Sequence, residues 1–303
     1  MSPTADTETI RRTDFVDAGY SDHQIAHAVA RGDVAKVSRG VYAAPDRIAA
    51  HPDAGSELYR LRCRAAAIAD DAVLSHQSAA AVLGLPVLRP DRMRVHVING
   101  SPGNGKVRPT RHTHAGPFDD DVVLVDGVAV TSPARTAVDL ACSTRFASAL
   151  TACDGALALG ASRDQLLECL HRRRRRGARV ASRAIEYANA RSANPAESWS
   201  RAQMIDGRLP APDLQTRFTI GTGQAFVDFC WDDRLAGEFD GRIKYGRDLR
   251  RGETAADAVS REKVREDALR AQGLMVVRWT RADLERGTML DRIRFWVQRL
   301  DLL

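Results

Sequence analysis

The most constraining feature of the 303-residue sequence is an expected β-hairpin at residues 226–241, which carries acidic side chains on one side. A three-residue loop at 232–234 would place Asp228 directly opposite Glu238 on the neighbouring strand. Asp240 then shares their face, because side chains alternate along a strand. The sequence therefore predicts three carboxylates on one face of a hairpin whose other face is apolar.

Carboxylates directly opposite each other on a sheet destabilise it, so this hairpin needs a source of positive charge. A divalent cation is one source, and Asp228, Glu238 and Asp240 are the predicted metal ligands. Mg²⁺, or Mn²⁺ in its place, is typically held by one or two carboxylates together with substrate phosphate oxygens, which suits phosphodiester hydrolysis. Two alternatives remain open: an exposed acidic face without a metal, and neutralisation by neighbouring arginines.

The composition favours an anionic partner such as DNA. Lys and Arg number 45 against 39 Asp and Glu, which gives a net charge of +6 and a pI near 9.3. Five widely spaced cysteines show no Cys-x-x-Cys pair and are expected to be reduced. No apolar run approaches the roughly 20 residues that span a bilayer, so we expect a cytoplasmic, nucleoid-associated protein without membrane contact.

The pattern predicts a mixed α/β fold in three parts. Residues 1–50 are expected to form a winged helix-turn-helix, and residues 51–191 a small α/β domain with a helical linker. An Asn-Pro pair at 194–195 interrupts the helical pattern and indicates a domain boundary near residue 192. Residues 192–303 are expected to form a restriction-endonuclease-like α/β domain. The apolar periodicity at residues 57–85 predicts a helix over this whole range.

The first 45 residues have the order helix, helix, hairpin that is typical of a winged helix. Helices are predicted at 10–18 and from the N-cap Ser21 to Gly32, followed by a β-branched wing. The second helix of such a fold faces the DNA major groove, and the wing contacts phosphate. The predicted DNA contacts are Gln24, His27, Arg31, Lys36 and Arg39. A protein-binding or purely structural role for this module is the alternative.

Two further clusters are weaker indicators of function. The arginine run at 172–176, with Arg173 and Arg174 as predicted contacts, could follow a nucleic-acid backbone or could be a solvated helix end. His112 and His114 alternate on one strand face, but no third metal ligand is evident from the sequence, and a surface strand is the favoured interpretation.

The C-terminal third resembles the endonuclease-like domain related to very-short-patch-repair enzymes, within the PD-(D/E)xK nuclease superfamily. The residues that carry the resemblance are Glu197, Leu209-Pro210, Gln215, Val227-Asp228-Phe229, Glu238-Phe239-Asp240-Gly241, Glu262-Lys263-x-Arg265 and the run from Gly273-Leu274 to Arg278.

This resemblance implies that Asp228 and Glu238 bind Mg²⁺ and that Glu197 is an auxiliary acid. The chain departs from the motif at its third position, where Asp240 replaces the usual lysine. Lys244 or Lys263 could take over the activation of water, or the site could bind a metal without cutting. The resemblance therefore implies a nuclease fold and leaves both a cutting and a non-cutting domain as alternatives.

The N-terminal region, at about residues 8–145, resembles the AbiEi-type antitoxins and transcriptional regulators of type IV toxin–antitoxin systems. The shared residues are Gly19-Tyr20-Ser21, the wing from Gly32 to Tyr42, Ser75-His76-x-Ser78-Ala79-Ala80, and Thr131-Ser132-Pro133-Ala134-Arg135-Thr136 with Asp139. The resemblance implies a DNA-binding winged helix and, as a further partner, a toxin protein.

Together these features predict a DNA-binding protein with a metal-dependent endonuclease domain. The alternative is a non-catalytic transcriptional regulator or antitoxin whose C-terminal domain has lost its chemistry. Oligomeric state and DNA target do not follow from the sequence.

Overall fold

Three β-sheets organise the structure, a computed structural model that describes residues 8–101, 103–118, 120–172, 174–221, 223–241 and 254–302. The sheets have three, six and four strands and follow one another along the chain, with helices between and around them. The predicted mixed α/β class is confirmed. Within these ranges, no helix combines the length and the apolar character that crossing a bilayer requires.

The first sheet belongs to an N-terminal helix pair and hairpin, which has the element order predicted for a winged helix. Its elements are β1 (Ile10–Arg11), α1 (Arg12–Asp17), α2 (Asp22–Arg31), β2 (Ala35–Ser38) and β3 (Val41–Ala43). The predicted ends of α2 are confirmed: Ser21 caps its start, and Gly32 ends it at a φ of +83°. The prediction of a helix that starts at residue 10 was wrong there, because Ile10 pairs with Tyr42 in the sheet.

The second sheet, in the order β6-β7-β5-β4-β9-β8, forms the middle of the chain. Its elements are α3 (Pro45–Ala50), α4 (Ala54–Asp70), β4 (Val73–Leu74), α5 (His76–Leu83), β5 (Val95–Ile98), β6 (Lys106–Val107), β7 (Arg111–His114), β8 (Val122–Val125) and β9 (Val128–Thr131). The helix predicted at 57–85 is interrupted by β4, which pairs with β5 on one side and β9 on the other. Two residues are too few to give a strand periodicity in the sequence.

A bundle of four helices follows the second sheet. These are α6 (Pro133–Ser143), α7 (Phe146–Ala158), α8 (Arg163–His171) and α9 (Ala178–Tyr187). Leu150, Leu166 and Ile185 are fully buried between them. Burial of a side chain of this size is worth about 1.5–3 kcal/mol, so the bundle has an apolar core of its own.

The third sheet has the order β10-β11-β12-β13 and forms the C-terminal region. Its elements are α10 (Pro195–Asp206), β10 (Asp213–Ile220), β11 (Gly223–Trp231), β12 (Leu235–Asp240), α11 (Ala255–Ala271), β13 (Met275–Thr280), α12 (Arg281–Arg286) and α13 (Thr288–Arg299). Helix α10 is joined to the preceding bundle by a buried ion pair, in which Arg201 Nη1 lies 2.8 Å from an Asp154 carboxylate oxygen.

A glycine in β12 allows two tryptophans to pack against the third sheet. A Cβ atom at Gly237 would lie 2.7 Å from the Trp279 ring and 3.2 Å from the Trp231 ring. Trp279 is almost completely buried there, and its indole N–H donates to Ser200 Oγ of α10. Any larger residue at 237 would push these rings away from the strand that carries Glu238.

Candidate functional site

The N-terminal helix pair presents a mostly exposed surface beside the wing. In α2, Ile25 is the one fully buried side chain, and His23, Gln24, His27 and Arg31 are all exposed. Phe15 of α1 contacts Tyr20 and Tyr42 edge to face, with ring centroids 5.8 and 5.6 Å apart. These aromatic contacts fix the helix pair against β3, so that α2 and the wing form one surface.

Two of the predicted DNA contacts are already engaged within the chain. The Gln24 side-chain oxygen accepts hydrogen bonds from the Ser21 backbone N–H and hydroxyl at 2.8 and 3.0 Å, which closes the capping box of α2. Arg31 forms an ion pair with Asp33. The Gln24 side-chain oxygen and the Arg31 guanidinium would have to give up these contacts to bind a ligand.

The other predicted contacts are available at the surface. Lys36 on β2 and Arg39 in the β2–β3 turn are exposed, and neither makes an ion pair with another residue that the structure describes. His27 is exposed on α2. Lys36 and Arg39 therefore place two fully ionised, accessible cations on this surface.

The acidic hairpin of the C-terminal sheet has the predicted register. Trp231 pairs with Leu235 across a three-residue turn, and Phe229 pairs with Gly237. One Asp228 oxygen accepts from the Phe239 backbone N–H at 2.9 Å, which ties the carboxylate to β12. The register predicted from the loop is confirmed as far as Phe229 and Gly237. The direct opposition of Asp228 and Glu238, one residue further, stays a prediction.

Glu197 and Asp228 are connected through one amide side chain. Gln215 Nε2 donates to Glu197 at 3.2 Å and to Asp228 at 3.3 Å. Gln215 lies within β10 at a φ of +51°, a left-handed conformation that non-glycine residues rarely adopt. Glu197 also accepts from the Ala193 backbone N–H at 2.8 Å and contacts Asn194, which caps α10. The predicted auxiliary acid therefore lies beside Asp228.

Arginines, rather than an open cation site, neutralise Glu238. Its two oxygens lie 2.7 Å from Arg265 Nη2 and 3.0 Å from Arg278 Nη2. Both arginines also contact Glu262, and Arg278 lies 3.2 Å from Glu266. Glu238 is 8% exposed. The positive charge that the predicted carboxylates need is thus supplied by Arg265 of α11 and Arg278 of β13.

The expected convergence of three carboxylates does not occur. Among the residues that the structure describes, no three carboxylates bring their oxygens within 4.8 Å of one another. Asp240 is half-buried at the end of β12, and it makes no ion pair within the described ranges. The magnesium-binding roles of Asp228, Glu238 and Asp240 stay predictions, and the geometry around Glu238 favours the arginine alternative.

One of the two lysines predicted to activate water can be located. Lys244 lies outside the described residues, and Lys263 is exposed on α11. Arg265, two residues later, reaches Glu238 instead. Positions i and i+2 of a helix are about 200° apart, so Lys263 points away when Arg265 faces the sheet.

The sequence interpretation missed Arg265 and Arg278 as partners of Glu238. Arg278 is the direct neighbour of Glu238 on the parallel strand β13, a register that the β11–β12 hairpin loop cannot reveal. The spacing of Glu262, Arg265 and Glu266 on α11 was the available signal, because positions three and four apart share one helix face.

Two of the five arginines at 172–176 are engaged internally. Arg172 lies 3.0 Å from Asp121 and 2.9 Å from Glu168, and Arg175 pairs with Asp139. Arg173 lies outside the described residues. Arg174 and Arg176 are exposed and can contact a ligand.

Histidines, by contrast, converge where the sequence indicated a surface strand. His112 and His114 are half-buried on β7, and His96 on the adjacent strand β5 adds a third imidazole that the sequence did not reveal. Nδ1 of His96 lies 2.9 Å from Nε2 of His114, and the ring of His76 stacks on His114 at 3.6 Å between centroids. The sequence interpretation thus missed His96 as a third candidate ligand.

Burial and mutual repulsion keep these imidazoles neutral. Burial first, and then the neighbouring histidines, lower the pKa of His114 to about 2 and that of His96 to about 4. Burial also lowers the pKa of His76 and His112. At neutral pH the rings therefore carry lone pairs rather than positive charge.

Comparisons with known proteins give consistent matches over the N-terminal two-thirds. Residues 6–45 match the family described as "Transcriptional regulator, AbiEi antitoxin", and residues 71–187 match "AbiEi antitoxin C-terminal domain". The uncharacterized proteins MT2308 and Rv2248, from two strains of Mycobacterium tuberculosis, are each 32% identical over 225 residues, covering 72% of this chain and 77% of theirs.

One solved structure is a more distant match. The crystal structure of the RV2827C protein from Mycobacterium tuberculosis is 15% identical and covers 68% of this chain and 78% of its own, with a TM-score of 0.36. At that TM-score the shared geometry is too limited to transfer any residue role.

Proposed function

The chain belongs to the family of AbiEi antitoxins and transcriptional regulators, and from this premise we propose that it is a DNA-binding regulator that does not cut its target. The N-terminal helix pair and wing hold the DNA, with α2 toward the major groove. A toxin protein is the proposed second partner. The observation that carries the proposal is the exposed charge of Lys36 and Arg39 beside α2, which no described residue pairs.

The position of these two cations supports contact with phosphate. Lys36 lies on β2, and Arg39 lies in the turn that forms the tip of the wing. Ion-paired arginines such as Arg31 must first give up an internal partner, whereas Lys36 and Arg39 have none within the described ranges. Each phosphate contact of this kind releases condensed counterions and makes binding sensitive to salt.

The C-terminal sheet supports a non-catalytic interpretation. A nuclease of the predicted type needs carboxylate oxygens free to bind a divalent cation. Here both oxygens of Glu238 are held by guanidinium groups, and an incoming Mg²⁺ would have to displace Arg265 and Arg278. The loss of these two contacts and the repulsion between Mg²⁺ and the neighbouring guanidinium groups disfavour that exchange.

The salt dependence of DNA binding tests the proposal. We expect the binding constant of a fluorescent random-sequence duplex to fall with salt, and the double variant Lys36→Ala/Arg39→Ala to lower the slope of log K against log salt by about 1.8. Fluorescence anisotropy over a salt series gives both quantities. The effect follows from the loss of two phosphate contacts.

A matched control removes the same charge elsewhere. Arg286 and Arg299 are exposed on α12 and α13 and make no ion pair with other described residues. Arg286→Ala/Arg299→Ala should leave the slope as in the unchanged protein. An equal decrease in both double variants, or none in the wing variant, would show that the wing is not the DNA interface.

A further inference from the structure

A set of imidazole nitrogens lies on one face of the middle sheet. His96 and His112 are direct neighbours on the parallel strands β5 and β7, and His114 follows two residues later on the same face. One ring nitrogen from each of the three lies within 4.8 Å of the others. The backbone of two adjacent strands fixes these positions, so the cluster is built into the sheet rather than into a loop.

One nitrogen of the cluster lacks a hydrogen-bond partner. His96 is 9% exposed, and its Nε2 atom is buried without a partner among the described residues. A buried polar atom is normally hydrogen-bonded, because taking it out of water without compensation is costly. Because Nδ1 of the same ring faces His114, the unsatisfied Nε2 lies on the other side of the His96 ring and leaves that side in need of a partner.

The cluster borders a cleft that is open to solvent. His112 and His114 line this cleft of roughly 840 Å³ together with Asp139 and four arginines, Arg135, Arg174, Arg175 and Arg176. Arg175 and Arg135 both pair with Asp139, which offsets part of their charge. The cleft gives an ion access from solvent and leaves space for a fourth ligand such as water.

We propose that His96, His112 and His114 bind one divalent transition-metal ion, Zn²⁺, with the fourth coordination position open to the cleft. Three histidines are an established donor set for zinc sites that keep an open position. Zn–N bonds of about 2.0–2.1 Å place tetrahedral nitrogens about 3.3 Å apart, so small ring rotations bring the cluster into range. The neutral state of the rings is the form that ligates metal.

Neighbouring side chains orient this donor set. The ring of His76 stacks on His114, and the ring of His112 stacks on His114 at 3.8 Å between centroids and lies tilted to His96 at 5.2 Å. His76 is not one of the three ligands, since its nitrogens fall outside the set that converges. It acts as a positioning residue for His114. All four histidines lie within residues 71–187, the range that matches the antitoxin C-terminal domain.

Calorimetric titration of the full chain tests the proposal. Tag-free, chelator-treated protein is titrated with Zn²⁺ and, in parallel, with Mg²⁺. We expect one Zn²⁺ per chain and no response to Mg²⁺, which prefers oxygen ligands. His112→Asn and His114→Asn should each weaken Zn²⁺ binding by at least roughly 10–100-fold, the loss that follows even from removing an outer-sphere partner.

Two further measurements separate ligation from structural damage. His171→Asn removes an exposed histidine of α8 and should bind Zn²⁺ as the unchanged protein does. Circular dichroism of each variant without metal establishes that it is folded, and the visible spectrum of the Co²⁺-loaded protein reports tetrahedral nitrogen ligation. The absence of Zn²⁺ binding by the unchanged protein, or equal binding by folded His112→Asn and His114→Asn, would overturn the proposal.

Discussion

Two sheets of this protein each gather metal-ligating side chains on adjacent strands, and they satisfy them differently. In the C-terminal sheet, Asp228 and Glu238 lie on the adjacent strands of a hairpin, and two arginines contact the oxygens of Glu238. In the middle sheet, His96 and His112 are direct neighbours on parallel strands, and His96 Nε2 has no partner within the described residues. Adjacent strands thus carry both sets of side chains, and the surrounding residues make the difference.

The chemical cause of this difference is charge. A buried carboxylate is stable only when an opposite charge is near, and a helix packed on the sheet can supply one. A neutral imidazole needs hydrogen bonds but no counter-ion, so nothing forces an arginine or a lysine into the histidine cluster. The comparison teaches that crowded carboxylates are a weaker sign of a metal site than crowded imidazoles.

The largest effect is expected at Glu238. Glu238→Gln keeps the shape of the side chain but removes one of the two carboxylates that Arg265 and Arg278 share, the other being Glu262. We expect the free energy of unfolding to fall by about 1–2 kcal/mol, below the loss for a fully buried pair, because both arginines are about a quarter exposed and keep Glu262 as a partner. Urea denaturation followed by circular dichroism measures the change.

Asp240→Asn is the matched control for that variant. It removes the same charge two residues later on the same strand face, where no ion pair is formed within the described ranges. Its effect should stay within about 0.5 kcal/mol, the usual range for such a site. If the two variants proved equally stable, the arginine network would not be what neutralises this hairpin.

A smaller effect is expected at His96 in the metal-free protein. His96→Leu removes the contact with His114 but also removes the unpaired Nε2, so the two changes partly cancel. We expect a loss below about 1 kcal/mol in the same urea experiment, since replacing an unsatisfied polar group by an apolar one is close to neutral. A loss as large as that of Glu238→Gln would mean that the His96 ring already has its hydrogen-bond partners. The difference between the middle and the C-terminal sheet would then disappear.

Local patterns in the sequence predicted much of the fold. The hairpin register at Trp231 and Leu235 follows from a loop length, and the ends of α2 follow from Ser21 and Gly32, so both were predicted correctly. The two-residue strand β4 was missed, because its pairing partners come from distant parts of the chain. Periodicity reports local geometry and carries no information on such long-range pairs.

The candidate sites were predicted less completely for the same reason. Asp228 and Glu238 are neighbours through a hairpin, which a sequence can reveal, whereas Arg278 meets Glu238 through a parallel pairing. His96 meets His112 in the same way, 16 positions away in sequence on a strand that is parallel to its own. Residues that converge through parallel strands can only be recognised once the strand order is known.

Incubation of the purified chain with supercoiled plasmid and Mg²⁺ or Mn²⁺ tests the central claim most directly, namely that this regulator binds DNA without hydrolysing it. The account predicts that the plasmid is retarded on a native gel, that this retardation weakens with salt, and that the plasmid stays intact after deproteinisation. Nicking or linearisation that is abolished by chelator and by Asp228→Ala would contradict it, because the acidic hairpin would then be a working metal site.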